Sequence, residues 1–489
     1  MPIRPSIKFL SENEVEAIYE DALEVLESVG IKFYSDNAFE IFKKNGAEVD
    51  EKVKIAKIPR HLVKESLKKA PKSIKLYSID GKHHLNLEGD NVHFVPGTMM
   101  MKVIEEQGKT RDPALKDLVE MVKLIDVLEN IHLNGAPFFV RDVPEVIVDR
   151  YRMFTAIKYS NKPVWGGAFS IDGPVDMKEM LVKVVGGEDE LVKRPRWGLA
   201  ACPSPPLKWS DVIAQNVIDC ARFSVPVWFV SMPQLGASSP ATIAGGLVQH
   251  TAETLSGIAL VQLVNPGAPV IYGGSSIAFD MRYGNVALGS IETTLISCGY
   301  AQIGKYFGLP THGYVGVSDS KIFDAQAGME TGMNVAFAAL AGINVIAAAG
   351  QLESESGGSF QKLVFDNETL GEILRALKGI EVSTETLALN LFKRVGAGGE
   401  FTKDIEALRF AQKVYTKECY LPSAAIDRGD RKTWETRGSK DVAKRANDVM
   451  KEKLAGYKQP SISRDVEKEM VDIIRKAAKK YKVEAPKPL

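Results

Sequence analysis

The chain has 489 residues, of which 45% are hydrophobic and 25% are charged, and its 62 Lys and Arg residues balance its 62 Asp and Glu residues. This length and composition favour a large α/β protein, and the zero formal net charge argues against nucleic acid or an anionic membrane surface as the main partner. The sequence contains no run of about 18 apolar residues and no signal-peptide pattern, so we expect a cytoplasmic protein that does not bind a membrane.

Residues 1–92 predict an N-terminal α+β extension. Ser11 and Glu14 match a capping box, apolar residues follow at helical spacing, and Gly30 ends this helix. Two further helices and two short strands are predicted at residues 37–45, 59–69, 74–78 and 84–87. We assign no chemistry to this region, because adjacent histidines such as residues 83–84 are more typical of a solvated pair than of a metal site.

Between residues 93 and 380, short apolar strands alternate with helices. The predicted strands are residues 93–97, 131–137, 163–170, 196–202, 225–231, 269–275, 311–316 and 344–350. The helices after them are predicted to begin near residues 113, 146, 175, 209, 240, 288, 324 and 368. Eight strand–helix units are typical of a (β/α)8 TIM barrel, whereas an open doubly wound sheet usually has fewer strands and a GxGxxG motif after the first. We therefore predict a catalytic barrel with its active site in the loops after the strands.

Residues 381–489 are predicted to form covering helices, because this region is helical in pattern and rich in charge. We expect these helices to contribute to the subunit interface of a homo-oligomer. The basic run at residues 475–482 is more typical of a solvated helix face than of a docking surface for a partner.

The predicted strand ends are rich in glycine, aromatic and amide residues and poor in metal ligands. The sequence contains no HxH, HExxH or carboxylate cluster with ligand spacing, so we expect no bound metal. The cysteines are Cys202, Cys220, Cys298 and Cys419, which lie far apart and outside any CxxC pair. This spacing is typical of reduced thiols.

Aromatic residues on the predicted strands suggest a cage for a quaternary ammonium group, because a ring face attracts a cation by roughly 0.5–2 kcal/mol. The candidate substrate-binding rings are Phe94, Trp165, Phe169, Trp228, Tyr272 and Tyr314. The alternative is that these rings fill the layers of the barrel interior. His312 and Tyr314 alternate with Gly313 and should therefore share one face of their strand.

Three polar residues complete the candidate substrate site. Arg282 follows the sixth predicted strand, where its planar guanidinium suits a substrate carboxylate, and His312 is a second candidate partner for that group. Gln351 ends the eighth strand and is a further candidate. Alternatively, Arg282 and Asp280 form a structural ion pair that orders their loop.

The stretch at residues 310–331, which includes the seventh predicted strand, is crowded with polar side chains. We predict catalytic roles for Asp319, Lys321, Gln326 and Glu330 in this stretch. A desolvated lysine at a barrel mouth can form a Schiff base, but a lysine just before a helix is more often solvated or ion-paired.

Four segments together resemble the trimethylamine methyltransferase superfamily. They are GGSSIAFDMRYGNVALGSIE, THGYVGVSDSKIFDAQAGMET, QLESESGGSF and DRGDRKTWETRGSKDVAKRAND. The resemblance covers nearly the whole chain and implies a (β/α)8 barrel, in agreement with the strand count. It also implies transfer of a methyl group from a methylated amine to the cobalt of a corrinoid held by a separate, cognate corrinoid protein, with no cofactor bound by this chain.

Two departures from the family pattern bear on the substrate. Members that use trimethylamine carry pyrrolysine at the barrel mouth, and the resemblance places that position in or near residues 318–321, where this chain has Lys321. The segment at residues 404–422 also lacks the expected histidine. We therefore expect a quaternary amine such as glycine betaine as the methyl donor. The alternatives are trimethylamine as substrate, a Lys321 Schiff-base lyase, and a non-catalytic betaine-binding protein.

Overall fold

The computed structural model describes residues 3–489 and begins with a unit of helices and short strands that packs against the barrel. The capping box of Ser11 and Glu14 is confirmed, and Gly30 ends the first helix with a φ of +82°. The helices of this unit are Glu12–Glu24, with a π-helical turn at Val25–Val29, then Asp36–Lys44 and Arg60–Lys69. Its strands are Ile31–Phe33, Glu48–Asp50, Ile55–Lys57, Ile74–Tyr77 and His84–Leu87.

Seven parallel strands form the main sheet. They are β1 (His93–Pro96), β3 (Val164–Gly166), β4 (Trp197–Ala201), β5 (Val227–Phe229), β6 (Val270–Gly274), β7 (Thr311–Tyr314) and β8 (Val345–Ala349). Their order in the sheet is β1-β8-β7-β6-β5-β4-β3, so β1 and β3 stand at the two edges.

Residues 131–135, which we call β2, fill the gap between these two edges. On one side the His132 amide donates to the carbonyl of Phe94 in β1, over 2.8 Å. On the other side the Asn134 amide donates to Pro163, and Trp165 of β3 donates to Asn134, each over 2.9 Å. The sheet is therefore closed through eight positions, and the predicted (β/α)8 barrel is confirmed.

Each strand is followed by a helix, as predicted. The helices are α1 (Leu115–Val127), α2 (Val148–Tyr159), α3 (Gly173–Val185), α4 (Asp211–Arg222), α5 (Ile243–Val264), α6 (Ile291–Tyr306), α7 (Ala325–Leu340) and α8 (Phe360–Leu377). Asp324 caps α7 by accepting from the Ala327 amide. The start of α8 differs from the prediction near residue 368, because the Ser359 side chain caps the helix by accepting from the Lys362 amide.

Small additions to the barrel connect its loops. The short strands are Lys102–Ile104, Thr110–Arg111, Lys208–Trp209, Gln234–Leu235, Ile277–Asp280, Asn285–Ala287, Gln351–Leu352 and Gly357–Gly358, and a short helix spans Glu188–Lys193. Three-residue 3-10 helices lie at Glu106–Gly108, Glu145–Ile147 and Phe401–Lys403. The Gln351–Leu352 and Gly357–Gly358 pair joins the Lys102–Ile104 strand in one small sheet, so the loops after β8 and β1 are linked.

The chain after α8 is helical. Its helices are Leu389–Val395, Ile405–Glu418, Arg431–Thr436, Val442–Ala455 and Arg464–Tyr481. The helix Val442–Ala455 packs against α8 and α1, and Arg464–Tyr481 packs against α3 and α2. No helix within residues 3–489 is both long enough and apolar enough to cross a membrane.

Side-chain alternation along the strands divides the core into two layers. The cluster inside the barrel contains Val95, Leu133, Trp165, Trp228, Ile271, Tyr314 and Val345. The layer between strands and helices contains Phe94, Val164, Val227, Tyr272 and Ile346. The strand hairpin of the N-terminal unit adds Ile74, Leu76 and Leu87 to the inner cluster.

Candidate active site

A cavity of about 170 Å³ lies at the carboxyl ends of the barrel strands. Trp165 of β3, Phe169 from the loop after β3 and Tyr314 at the end of β7 form its aromatic walls. Its other lining residues include Thr98, Met99, Cys202, Met232, Ser275 and Glu355. Ring faces next to a carboxyl group favour an organic cation, because both offer negative potential in a site of low polarity.

Glu355 supplies the one carboxyl group among the residues that line this cavity. The Ser275 hydroxyl lies 3.4 Å from its Oε1 and donates to it. Burial raises the pKa of Glu355 to about 7, and the Ser275 hydrogen bond acts in the opposite direction. Glu355 therefore changes charge near neutral pH, and a bound cation would favour its ionised form.

The turn that carries Glu355 has an unusual backbone. Glu353, Ser354 and Glu355 have φ angles of +51°, +50° and +81°, a left-handed conformation that costs about 1–2 kcal/mol per residue for side chains with a Cβ. The Glu353 amide donates to Ser320 over 2.9 Å, and the Ser354 amide donates to Ser318 over 3.2 Å. The loop after β7 therefore holds this strained turn in place.

Three of the four predicted catalytic residues meet in the loop after β7. The Glu330 carboxylate accepts from the Ser318 hydroxyl over 2.6 Å, from the Asp319 amide over 2.9 Å and from the Gln326 side chain over 2.8 Å. Burial raises the pKa of Asp319, and the nearby charge of Glu330 adds to that rise. These side chains order the loop next to the cavity and do not line it.

Lys321, the fourth predicted catalytic residue, contacts this network only through the backbone of Asp319. Its side chain is exposed, and its Nζ donates to the Asp319 carbonyl over 2.7 Å. It does not line the cavity. The structure thus gives this lysine neither the burial nor the position that a Schiff-base nucleophile needs.

Gln351 connects the ends of β1, β7 and β8. The Tyr314 hydroxyl donates to its Oε1 over 2.6 Å, and its Nε2 donates to the Thr98 carbonyl over 3.0 Å. Gly97 makes room for this amide, because a Cβ there would lie 2.0 Å from Cδ of Gln351. Gln351 therefore fixes the orientation of the Tyr314 ring in the cavity wall.

His312 and Trp228 lie in the barrel interior against Trp165. The ring centroid of Trp165 is 4.9 Å from that of His312 and 5.6 Å from that of Trp228. Burial lowers the pKa of His312 to about 3, so its imidazole is neutral. Neither residue lines the cavity, and both support the Trp165 ring from the barrel interior.

The other predicted substrate-binding residues lie elsewhere. Phe94 and Tyr272 occupy the outer layer, where strand alternation turns them toward the helices, and the Tyr272 hydroxyl lies 2.9 Å from that of Thr251 on α5. The Arg282 side chain is 81% exposed and forms a 2.6 Å ion pair with Asp280, the structural alternative considered above.

Several residues of the site lay outside the predicted set, and they include Met99, Arg152, Cys202 and Glu355. Glu355 stands within the segment QLESESGGSF, but nothing in the sequence indicates that its turn is left-handed. Arg152 lies within α2 and contacts Thr98 and Met99 in the cavity wall. Its position depends on the packing of a helix against strand ends, which has no local sequence pattern.

Within the described residues, no group of three or more His, Cys, Asp or Glu side chains has the geometry to hold a metal ion. All four cysteines are free thiols, and burial raises the pKa of Cys202 in the cavity wall to about 12. That thiol is therefore protonated near neutral pH.

The sequence model of the trimethylamine methyltransferase family matches residues 2–481. The trimethylamine methyltransferase MttB2 of Methanosarcina mazei is 36% identical over 483 residues, covering 97% of this chain and 96% of the relative. A glycine betaine methyltransferase of Desulfitobacterium hafniense is 30% identical over 477 residues, covering 97% and 98% of the two chains.

The crystal structure of the monomethylamine methyltransferase MtmB of Methanosarcina barkeri has a similar fold. It superposes with a TM-score of 0.53 and covers 93% of this chain and 89% of its own, at 12% sequence identity. At that identity the likeness concerns the fold alone.

Proposed function

The chain belongs to the trimethylamine methyltransferase family and is a methyltransferase, and on that premise we propose that it moves a methyl group from a quaternary amine of the betaine type to the cobalt of a corrinoid carried by a partner protein. The observation that carries this proposal is the cavity, in which Trp165, Phe169 and Tyr314 surround a space that Glu355 also lines. This combination suits a methylated ammonium group.

The chemistry demands alignment more than proton transfer. The electron pair of the methyl acceptor forms the new bond to the methyl carbon, while the C–N bond breaks and leaves its electrons on nitrogen. A quaternary ammonium thereby departs as a neutral tertiary amine, and no proton is needed. The aromatic walls and Glu355 would hold the cation with one methyl group toward the mouth. Binding would therefore also align this methyl group for transfer.

Apolar side chains at the barrel mouth support a protein partner as the source of the acceptor. Met281 and Tyr283, in the loop after β6, are 66% and 81% exposed. Ile171 after β3 and Ile322 after β7 are also exposed. Exposed apolar residues grouped around a site are typical of interaction surfaces, so we propose that the corrinoid protein docks on this face.

Trimethylamine is the second candidate substrate. The carboxyl group of Glu355 in its ionised form would accept the N–H of trimethylammonium, and trimethylamine methyltransferases are among the relatives with the higher identity. No observation favours a lyase at Lys321, which is exposed and bonded to its own loop. The enzymatic relatives likewise give no support to a non-catalytic binding protein.

The proposal is tested by mixing the protein with a reduced corrinoid, either cob(I)alamin or the cognate corrinoid protein, and each methylated amine in turn. We expect a betaine to methylate the cobalt faster than in the absence of the enzyme. The absorbance change of the corrinoid measures this rate. Glu355→Gln should slow the reaction, whereas Glu385→Gln, which alters an exposed glutamate paired with Lys413, should not. Absence of methylation with every betaine would refute the betaine proposal, and turnover with trimethylamine alone would favour the second candidate.

We further propose that the enzyme is a cytoplasmic homo-oligomer. The free thiols support the location. Exposed apolar side chains between α8 and residue 421 support an interface between copies, and they include Ile380, Leu389, Phe392, Ile405, Tyr415 and Leu421. Sedimentation of the purified protein measures its oligomeric state, and a monomer would contradict this proposal.

A further inference from the structure

Arg152 is a buried cation without a carboxylate partner. Its side chain belongs to α2 and the residue is 3% exposed, yet no carboxylate of the described residues lies within ion-pair distance of it. Arg150, two positions earlier on the same helix, forms 2.8 Å ion pairs with Asp149, Asp172 and Asp176. The fold thus neutralises one buried arginine and leaves the other unpaired.

The contacts of Arg152 direct its charge toward the cavity. Its Nε donates to Ala136 over 2.8 Å, and its Nη2 donates to Gly135 over 3.1 Å and to Thr98 Oγ1 over 2.5 Å. The remaining nitrogen, Nη1, has only the sulfur of Met99 at 3.8 Å, which is a weak acceptor. Thr98 and Met99 both line the cavity.

Two further observations agree with this direction. The guanidinium carbon lies 5.3 Å from the ring centroid of Phe169, a third lining residue. Burial lowers the pKa of Arg152 to about 10, and it remains a cation near neutral pH. The carboxylate of Asp149 opposes this fall in pKa without forming an ion pair with Arg152, and an anion in the cavity would offset more of the cost of burying the charge.

We propose that the Thr98 hydroxyl receives the carboxylate of the betaine substrate, with Arg152 as the counter-charge behind it. This inference rests on the proposed function and assigns the residues that recognise one end of its substrate. Because Thr98 Oγ1 accepts the Arg152 N–H, its own hydrogen is free to be donated to an oxygen in the cavity. Arg152 is therefore a positioning residue that strengthens the hydrogen bond made by Thr98.

The barrel topology places the two charges on opposite walls. Arg152 is anchored on the carbonyls of Gly135 and Ala136, which end β2, whereas Glu355 is hydrogen-bonded to Ser275 after β6. In a ring of eight strands, the second and the sixth face each other. A zwitterion would lie across the cavity with its ammonium group toward Glu355 and its carboxylate toward Thr98.

The test compares two matched series of ligands by calorimetry, without a corrinoid. One series contains trimethylammonium carboxylates with one, two or three methylenes between nitrogen and the carboxylate, beginning with glycine betaine. The other contains the corresponding alcohols, beginning with choline. We expect the wild-type protein to bind at least one carboxylate about tenfold or more tightly than its alcohol, because hydrogen bonds to charged groups are stronger than those to neutral groups.

Variants then separate recognition from structure. Thr98→Val should lose most of that preference while alcohol binding stays within about twofold, and Thr98→Ser should restore it. Arg152→Lys should reduce the preference in part. Thr254→Val is the matched control, because the Thr254 hydroxyl on α5 is buried without a partner among the described residues.

The inference is overturned if no carboxylate binds, if alcohols bind as tightly as carboxylates, or if Thr98→Val weakens both series equally. Its outcome is independent of the methyl-transfer assay. A protein that prefers carboxylates but never methylates cobalt would contradict the proposed function alone. A protein that methylates cobalt from the alcohols as well as from the carboxylates would contradict this inference alone.

Discussion

The Ser354 hydroxyl donates a 2.7 Å hydrogen bond to Oδ1 of Asp319, and this contact ties the loop after β7 to the turn that carries Glu355. The other oxygen of Asp319 accepts from the Gly289 amide over 3.0 Å, which adds the segment before α6. Asp319 therefore anchors Ser354, the residue before Glu355, and so helps to fix the turn that places the cavity carboxyl group. Its contacts explain a crowded polar loop without assigning it a proton-transfer role.

Asp319→Ala should lower kcat/KM by about tenfold or more and destabilise the fold by about 1–3 kcal/mol, because hydrogen bonds to a partly buried carboxylate are lost. Ser354→Ala should reproduce part of both losses. The double variant should lose less than the sum, since the two residues share one contact. Asp280→Ala is the control for stability, because its ion pair with Arg282 is exposed to solvent and contributes little to the fold. Additive losses in the double variant would argue against this coupling.

Glu355 should make ligand binding depend on pH. Its pKa is raised to about 7, so the carboxyl group is neutral below that value and ionised above it. Binding of a quaternary ammonium should therefore strengthen by about tenfold between pH 6 and pH 8, a change set by one titrating group. Calorimetry across this range measures the effect, and Glu355→Gln should abolish it.

The same carboxyl group should lower the stability of the fold as pH rises, although it strengthens ligand binding over the same range. Because the folded pKa of Glu355 lies above that of an unfolded glutamate, the folded state holds its proton more tightly between pH 4.5 and about pH 7. The contribution of Glu355 to the free energy of unfolding therefore falls as pH rises through this window. Glu355→Gln should be more stable than the wild type at pH 8 and closer to it at pH 5, by thermal unfolding. An unchanged difference across this range would contradict the shift.

The barrel was predictable from the sequence because its signal is repeated. Each strand is a short apolar run with glycine or proline near its ends, and each helix has its own cap, as at Asp324. The irregular β2 was also predicted, because its apolar pattern is preserved although only a few backbone hydrogen bonds join it to the neighbouring strands. The start of α8 was misplaced, because Ser359 is one of several serines in that segment.

The residues of the candidate cavity were predictable mainly at the strand ends and, for Phe169, in the loop just after β3. Trp165 and Tyr314 were among the predicted rings and point into the barrel. Phe94 and Tyr272 were also among them but point outward, because a shift of one residue along a strand reverses the side that a side chain faces. Glu355 depends on three consecutive left-handed residues, and Arg152 on helix packing. Neither condition leaves a local pattern of residue types.

Gly97→Ala should disrupt the cavity wall. A Cβ at this position would lie 2.0 Å from Cδ of Gln351, so the amide must move and release the hydroxyl of Tyr314. We expect a loss of about 1–3 kcal/mol in stability and weaker ligand binding, as for overpacked sites. Gly332→Ala on α7 is the control, because its Cβ would meet its nearest neighbour at an ordinary 3.9 Å. Unchanged binding in Gly97→Ala would show that the position of Gln351 is unimportant.

Trp165→Phe should separate the cation-binding role of this ring from its packing role. The substitution keeps an aromatic face but reduces its size and negative potential, and a good cation–π contact is worth about 0.5–2 kcal/mol. We therefore expect binding of a quaternary ammonium to weaken by about two- to thirtyfold, while an uncharged isostere with a carbon in place of nitrogen loses much less. The matched control is Trp197→Phe, since Trp197 is equally buried but lies in the outer layer, where its indole donates to Gly166. Equal losses for the charged and uncharged ligands in Trp165→Phe would show that the ring contributes only packing. Glu355 would then be the main source of cation recognition.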